Sequence, residues 1–245
     1  MQPYLIKYNK IDYYKNEKNA GNYGITNQRK LLAISNGEYI NFLNHDDIFN
    51  IRKIEKMMNH FLTEKEISIV TSHRQLIDEN GNNLNDNGAT QRIFNEDTII
   101  NGKDLSRLVI NTLSNVIGES TTVLFKKSLL DEGMGYYNSN FYINLLDLAT
   151  WFSLLSKGKG VYIVETLSYF RQHRNQNSQN LTLHVKGILE WKQLIIDSYN
   201  TKIINDNEKK ALIIKWYNCF EPEIKQLEHK EIDKNIKIDL YNSIL

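Results

Sequence analysis

The chain has 245 residues, and its 30 Lys and Arg residues nearly balance its 29 Asp and Glu residues. This balance gives no net field that would favour nucleic acid or an acidic membrane surface. The single cysteine, Cys219, excludes an internal disulfide and a cysteine-rich zinc site. No leader of basic then apolar residues and no apolar run of about 18 residues is present. The composition predicts a cytoplasmic protein with a substantial buried core.

Residues 39–43 form an apolar run of β type that ends in a polar cluster containing Asp46 and Asp47. In open α/β sheets, loops at the carboxyl ends of strands hold the ligands. Carboxylate oxygens suit Mg²⁺ or Mn²⁺, and such ions often take only one or two protein carboxylates while substrate phosphates complete their shell. The segment therefore predicts a metal-assisted phosphate site. The alternative is that the two Asp residues cap the next helix.

Helical and strand patterns alternate after this cluster. Residues 51–61 carry a helical apolar face in which Met57 and Met58 are expected in the core. Residues 67–70 predict a strand, residues 78–83 a solvated turn, residues 105–113 a helix, and residues 121–125 a strand rich in β-branched and aromatic side chains. The alternation predicts an α/β fold, with helices packed on a mixed sheet.

Asp147 precedes an apolar helical face formed by Leu148, Trp151, Phe152 and Leu155. Its carboxylate can project from the start of this helix into a cleft and act as a general base. The alternative is a cap or a charge that complements the helix dipole. The aromatic Trp151 is expected in the core, with stacking on a substrate as the other possibility.

Four segments in chain order resemble the family 2 glycosyltransferases. The family pattern of Asn-x-Gly, a helical Arg, Gly-Glu-Tyr-Ile and Asp-x-Asp is similar to residues 22–29 and 37–47. Residues 115–125 resemble its acceptor-side loop and strand, residues 147–152 its Asp-x-x-x-Trp helix, and residues 167–173 its closing Arg-x-His segment. The resemblance covers roughly residues 5–180 and implies the A-type, nucleotide-diphospho-sugar transferase fold.

The resemblance also implies roles for individual residues. It makes Asp147 the catalytic base of an inverting transfer and gives Gly118, Glu119 and Trp151 to the acceptor side. Asp46 and His173 would hold Mg²⁺ or Mn²⁺, since imidazole also ligates Mn²⁺. The donor would contact a further set of residues: Arg29, Asn44, His45, Asp46 and Arg171. Structural roles for His173 and a surface position for His45 are the alternatives.

Two departures from the family pattern bear on activity. Asn44 replaces the first Asp of Asp-x-Asp and supplies a neutral oxygen instead of a charged one. In the family, strands with Pro-x-Tyr-Asn and Asp-x-Ser-x-Asp grip the uridine and precede the segment at which this chain begins. Residues 4–8 resemble the third strand of such a domain. The chain is then expected to be a fragment, a chain with a misassigned start, or a degenerate copy.

The motifs end near residue 180, and two amphipathic helical patterns follow. The sequence thus predicts an N-terminally incomplete catalytic domain, residues 1–180, and a helical C-terminal extension, residues 181–245. Such an extension can pack on the catalytic domain, cover an acceptor site, form a homodimer contact or lie peripherally on a membrane.

These features predict a glycosyltransferase that moves a sugar from a nucleotide-diphosphate donor, with a UDP-sugar expected, to a saccharide or other hydroxyl acceptor. Synthesis of surface polysaccharide or glycoconjugate is the expected pathway. The alternative is a non-catalytic remnant of such a domain that acts as a binding module. Neither the donor sugar nor the acceptor follows from the sequence.

Overall fold

The computed structural model describes residues 6–8, 10–174, 176 and 180–227. The chain divides into two compact units, residues 1–35 and 36–245. In the first unit a 3₁₀ turn, Asn22–Gly24, leads into helix α1, Ile25–Ile34. Gly24 lies at the N-cap with φ +87°, a left-handed conformation that glycine adopts at little cost. Residues 6 and 7 are helical, so the strand predicted over residues 4–8 is wrong for its described part.

The second unit is built on a mixed sheet. Its described strands are β1 (Tyr39–Asn41), β2 (Ile48–Phe49), β3 (Ile67–Ile77), β4 (Thr98–Asn101) and β5 (Leu124–Lys126), with a small hairpin of β6 (Tyr136–Tyr137) and β7 (Asn140–Phe141) and then β8 (Lys159–Arg171). The main sheet has the order β1-β5-β3-β8-β2, and β4 also pairs with β8. Only β3 and β8 run parallel among the described pairs. The buried residues of these two strands place the core of the unit at the centre of the sheet.

Five helices accompany this sheet in the described part of the unit. They are α2 (Lys53–Thr63), α3 (Gly102–Thr112), α4 (Leu146–Leu155), α5 (Leu181–Asn200) and α6 (Asp206–Leu227). Met57 of α2 is fully buried against Val70, Val161 and Leu167 of the sheet. Burial of each such side chain stabilises the fold by roughly 1.5–3 kcal/mol. The predicted α/β fold with a mixed sheet and a helical C-terminal region is confirmed.

The structure corrects three local predictions. Arg52 occupies the N-cap of α2, so the alternative of a helix cap at Asp46 and Asp47 is wrong. Ile51 is 98% exposed and lies outside the apolar face of that helix. The strand predicted over residues 121–125 begins only at Leu124, because the preceding residues form a loop tied down by side chains. The turn over residues 78–83 is confirmed, since Asp78 N–H donates to Asn82 O at 2.9 Å.

The two C-terminal helices belong to the same compact unit as the sheet. Asp197 of α5 is fully buried and accepts hydrogen bonds from Asn138, Asn140 and Tyr142 beside the β6–β7 hairpin. The boundary predicted at residue 180 stays a prediction, and residues 228–245 of the extension lie outside the described residues. Of the helices described, not one combines the length and the apolar character that a membrane span requires.

Candidate active site

The two adjacent carboxylates after β1 have different surroundings. Asp47 is 8% exposed, accepts a hydrogen bond from Thr121 Oγ1 at 2.6 Å, and accepts another from the Arg171 backbone N–H at 3.1 Å. Asn44 Nδ2 also donates to it at 3.2 Å. Burial raises the pKa of Asp47 above its ordinary value, and these hydrogen bonds oppose that rise. Asp47 therefore serves to fix the loop.

Asp46 does not share the contacts of Asp47, and its side chain contacts His173. Asp46 Oδ2 lies 3.1 Å from His173 Nε2, and the two side chains are 19% and 23% exposed. His45, at 91% exposure, extends into solvent, with Nδ1 at 3.8 Å from Asp46 Oδ1. The structure thus brings together the two residues predicted to hold a metal. Within the described ranges, no group of three or more His, Cys, Asp and Glu side chains is arranged to hold an ion.

Arg171 connects the Asp46 loop to the turn after β3. Its Nε donates to the backbone oxygen of Asp46 at 2.8 Å, and its Nη1 donates to the oxygens of Asp78 and Glu79 at 2.9 and 3.0 Å. The guanidinium therefore organises the loop that carries Asp46. Arg29, the other predicted donor contact, is exposed on α1 of the first unit.

An open cavity of about 510 Å³ lies beside His173. This volume is within the usual range for a small-molecule site, about 300–1,000 Å³. Its lining residues are Glu79, Leu84, Gln172, His173, Arg174 and Gln176. The cavity therefore gives a bound molecule access to His173, whose Nε2 lies 3.1 Å from Asp46 Oδ2.

Asp147 lies in the first turn of α4, as the sequence predicts, and is held by the loop between α3 and β5. Ser120 Oγ donates to Asp147 Oδ1 at 2.5 Å. Burial raises the pKa of Asp147 to about 6, and the charge of Glu119 adds to the rise, whereas the Ser120 hydrogen bond and Arg74 oppose it. A carboxylate with this pKa is ionised near neutral pH and is a stronger base than an ordinary Asp.

The loop 118–122 is anchored at every residue, and its anchors link the surroundings of Asp46 and Asp147. Trp151 Nε1 donates to Gly118 O at 2.8 Å, and Arg74 Nε lies 2.8 Å from Glu119 Oε2. Ser120 bonds Asp147 and Thr121 bonds Asp47. Finally, the last residue of the loop, Thr122, accepts a hydrogen bond at its carbonyl oxygen from Lys53 Nζ at 2.7 Å.

These contacts define the predicted acceptor-side residues. Glu119 is held in an ion pair with Arg74, whose side chain is 3% exposed. Trp151 is wholly buried, so its ring is part of the core and its N–H holds Gly118 in place. Gly118 and Glu119 thus lie on the loop that bonds Asp147 through Ser120, and Trp151 lies on α4 with Asp147.

Sequence reasoning missed Arg74 and Lys53. Both are buried charges, and burial lowers the pKa of Lys53 to about 7. The available signal is a single basic residue inside a strand or helix face that is otherwise apolar, since such residues are seldom buried unless paired or hydrogen-bonded. Ser120 and Thr121 gave no signal, because small hydroxyl residues are common in loops.

Gly118 offers a direct test of the loop. Its φ is +114°, and a Cβ there would lie 2.7 Å from Thr122 Cβ. We expect Gly118→Ala to lower the free energy of unfolding by about 3 kcal/mol, as strain and overpacking add. Urea titration measures this loss. The matched control is Gly133→Ala, where φ is +86° and no atom lies within 4 Å of the added Cβ. Equal losses for the two variants would contradict the tight packing at Gly118.

The mixed sheet, the flanking helices and the carboxylates at the strand end and helix start define an A-type glycosyltransferase fold. The family model described as "Glycosyl transferase family 2" matches residues 1–132, more than half of the chain. The chain therefore belongs to glycosyl transferase family 2. Asp147 and all later residues lie beyond the matched region.

Curated relatives agree with this assignment. An uncharacterized glycosyltransferase of Methanocaldococcus jannaschii is 34% identical over 84 residues, which are 34% of this chain and 28% of the relative. Another, from Rickettsia typhi, is 29% identical over 172 residues, covering 68% of this chain and 48% of the relative. The chain spans about half or less of the length of these relatives.

A solved structure of S. aureus TarS, residues 1–349, is similar in fold. The TM-score is 0.61 at 15% sequence identity, and the match covers 99% of this chain and 65% of that one. At this identity the likeness concerns the fold alone.

Proposed function

We propose that this chain transfers a sugar from a nucleotide-diphosphate donor to a hydroxyl acceptor, with inversion at the anomeric carbon and Asp147 as the base. The observation that carries the proposal is the half-buried Asp147 carboxylate, held by Ser120 with its pKa raised to about 6. Such a group can take a proton from a hydroxyl at neutral pH.

The chemistry is a single displacement. Asp147 accepts the proton of the acceptor hydroxyl as that oxygen forms a bond to the anomeric carbon. The bond from this carbon to the diphosphate oxygen breaks, and the leaving nucleoside diphosphate keeps the electron pair. Because the acceptor oxygen attacks from the side opposite the leaving group, the configuration at the carbon inverts.

A divalent ion fits the Asp46–His173 pair in donor type. A carboxylate oxygen and an imidazole nitrogen 3.1 Å apart can bind one Mn²⁺, and Mg²⁺ can use the carboxylate. Two protein ligands suffice where diphosphate and water supply the others. When bound, the ion would neutralise negative charge on the departing diphosphate. Asn44, His45 and Arg171 are further proposed donor contacts, and a donor contact by Arg29 stays a prediction from the sequence.

A UDP-sugar is the proposed donor, and a saccharide or another hydroxyl compound the proposed acceptor. Synthesis of surface polysaccharide or glycoconjugate is the proposed context. A cytoplasmic location, a peripheral membrane contact and a homodimer remain predictions from the sequence. The alternative is a non-catalytic remnant that acts as a binding module, and turnover of a UDP-sugar separates it from the enzyme.

Calorimetric titration with UDP, with and without Mn²⁺, tests the donor side. We expect binding that requires Mn²⁺, and we expect Asp46→Ala to weaken it at least about tenfold, because the ion loses its charged ligand. Asp104→Ala, which removes an exposed carboxylate of α3, is the matched control and should bind like the parent chain. Unchanged binding in Asp46→Ala would contradict the metal role. No binding to the folded parent chain would support the non-catalytic alternative.

A further inference from the structure

The backbone immediately before α4 is held by one carboxylate from α5. Glu190 Oε1 accepts from the Ile143 N–H at 2.7 Å, and Oε2 accepts from the N–H groups of Asn144 and Leu145 at 2.9 and 2.7 Å. Both oxygens receive hydrogen bonds from N–H donors, which is the arrangement of an ionised carboxylate. Asp147 follows two residues after Leu145. The start of the helix that carries the proposed base is therefore fixed from a different helix.

The close approach of α5 is built into its sequence. At Gly187 an added Cβ would lie 3.0 Å from Asn144 Cγ, so glycine admits the Asn144 side chain. That side chain donates through Nδ2 to Leu183 O at 2.7 Å. Because Leu183, Gly187 and Glu190 are spaced by four and three residues, they share one face of α5. This face contacts the Asn144 side chain and the backbone N–H groups of residues 143–145, just before Asp147.

The groups that set the pKa of Asp147 depend on where its carboxyl group is held. Ser120 donates a hydrogen bond to it, the charge of Glu119 raises its pKa, and Arg74 lowers it. A change in the position of the helix start would therefore change this pKa.

Several groups act on the pKa of Glu190 in opposite directions. Burial raises the pKa of Glu190, while its three backbone N–H donors and Lys186 lower it. Tyr142, which is buried nearby, hydrogen-bonds Asp197 and does not donate to Glu190. The three N–H donors make the carboxylate the form that the site accommodates.

We propose that Glu190 is a positioning residue for Asp147: through three hydrogen bonds it fixes the backbone from which Asp147 projects. The inference rests on the proposed function, since it deepens the role of Asp147 as base. Helix α5 lies outside residues 1–132, the region that the family model matches, and the proposal gives this helix a role in the reaction.

The test compares Glu190→Gln, Glu190→Asp and the control Glu223→Gln, which alters an exposed carboxylate of α6. UDP release from a panel of UDP-sugars, with water as acceptor, is measured as a function of pH. For Glu190→Gln, which keeps only one acceptor oxygen, we expect kcat to fall more than threefold and the acid limb of the kcat/KM profile to move by at least half a pH unit, because Asp147 shifts relative to Ser120, Glu119 and Arg74. Glu190→Asp is too short to reach three N–H groups, so kcat should fall in this variant as well. Neither substitution should change the Kd of UDP.

An acid limb within 0.2 pH units of the parent in Glu190→Gln, with kcat unchanged, would overturn the proposal. If Glu190→Gln does not fold, the test rests on Glu190→Asp alone. An unchanged kcat in Glu190→Asp would then overturn the proposal.

A second readout does not need activity. The difference in free energy of unfolding between each background and its Asp147→Asn variant, followed against pH, reports the pKa of Asp147. We expect this pKa to change by at least half a unit in the Glu190→Gln background, because the contacts that set it depend on where Asp147 is held. If the parent chain releases no UDP but this pKa moves, the proposed function fails while the coupling stands. An unmoved pKa means that the coupling itself fails.

Discussion

Replacing Asp147 with Asn is expected to lower the rate of UDP release from a donor sugar about a thousandfold, because a general base contributes on the order of 10²–10⁴ to the rate. The Asn side chain keeps the size of Asp and can still accept the Ser120 hydrogen bond, so the site should stay assembled. UDP-sugar turnover and UDP titration are to be measured on the same preparation, and the Kd of UDP should not change.

Asp104→Asn is the matched control for this experiment, since it removes an exposed carboxylate in the first turn of α3. Its turnover should equal that of the parent chain. An Asp147→Asn variant that keeps more than a tenth of the parental rate would assign the base to another group.

The same carboxyl makes the activity and the stability respond to pH in opposite directions. Because the pKa of Asp147 is about 6 in the folded chain, the rate should fall about tenfold for each pH unit below that value. Between its ordinary pKa of 3.8 and 6, the native state holds a proton that the unfolded chain has released. The free energy of unfolding therefore decreases as pH rises through this window. At pH 7 we expect Asp147→Asn to be more stable than the parent by on the order of 2 kcal/mol, and at pH 3.5 to show little difference. Urea titrations at the two pH values measure both quantities.

Asp197→Ala is expected to lower the free energy of unfolding by about 4 kcal/mol. The carboxylate is fully buried and accepts hydrogen bonds from four side chains, those of Asn138, Asn140, Tyr142 and Gln193. Its loss leaves several buried donors without a partner, at about 1–3 kcal/mol each, while some of these donors recover bonds to water. Equilibrium unfolding in urea checks the value.

Two further variants calibrate this result. Asp197→Asn keeps one acceptor oxygen and should lose less than the Ala variant. Asp206→Ala removes a carboxylate paired with Lys210 at an exposed i,i+4 position, and such pairs contribute under about 1 kcal/mol. A loss at Asp197 as small as the one at Asp206 would mean that the hairpin is not held by α5.

The sequence predicted the elements of the site better than their contacts. Helical spacing over residues 147–155 and the apolar run ending at Asp46 are local patterns, so Asp147 and Asp46 were placed correctly at a helix start and a strand end. The apolar pattern alone did not distinguish Asp46 from Asp47, since adjacent carboxylates in one loop have the same composition around them, and only the family resemblance assigned the metal to Asp46. Thr121, 74 residues away in the chain, decides that Asp47 is the buried one.

The tertiary structure alone decided which charged groups support the site. Arg74 and Glu119 are 45 residues apart in the chain, as are Leu145 and Glu190, and neither pair leaves a periodic signal. The sequence by itself determined the α/β class, the order of the longer helices and strands after residue 36 and the two carboxylates at their ends, because these follow from the repeat of apolar residues along the backbone. The burial of Lys53, the anchoring of the loop 118–122 and the hold of α5 on the start of α4 depend on side chains that meet only when the chain is folded.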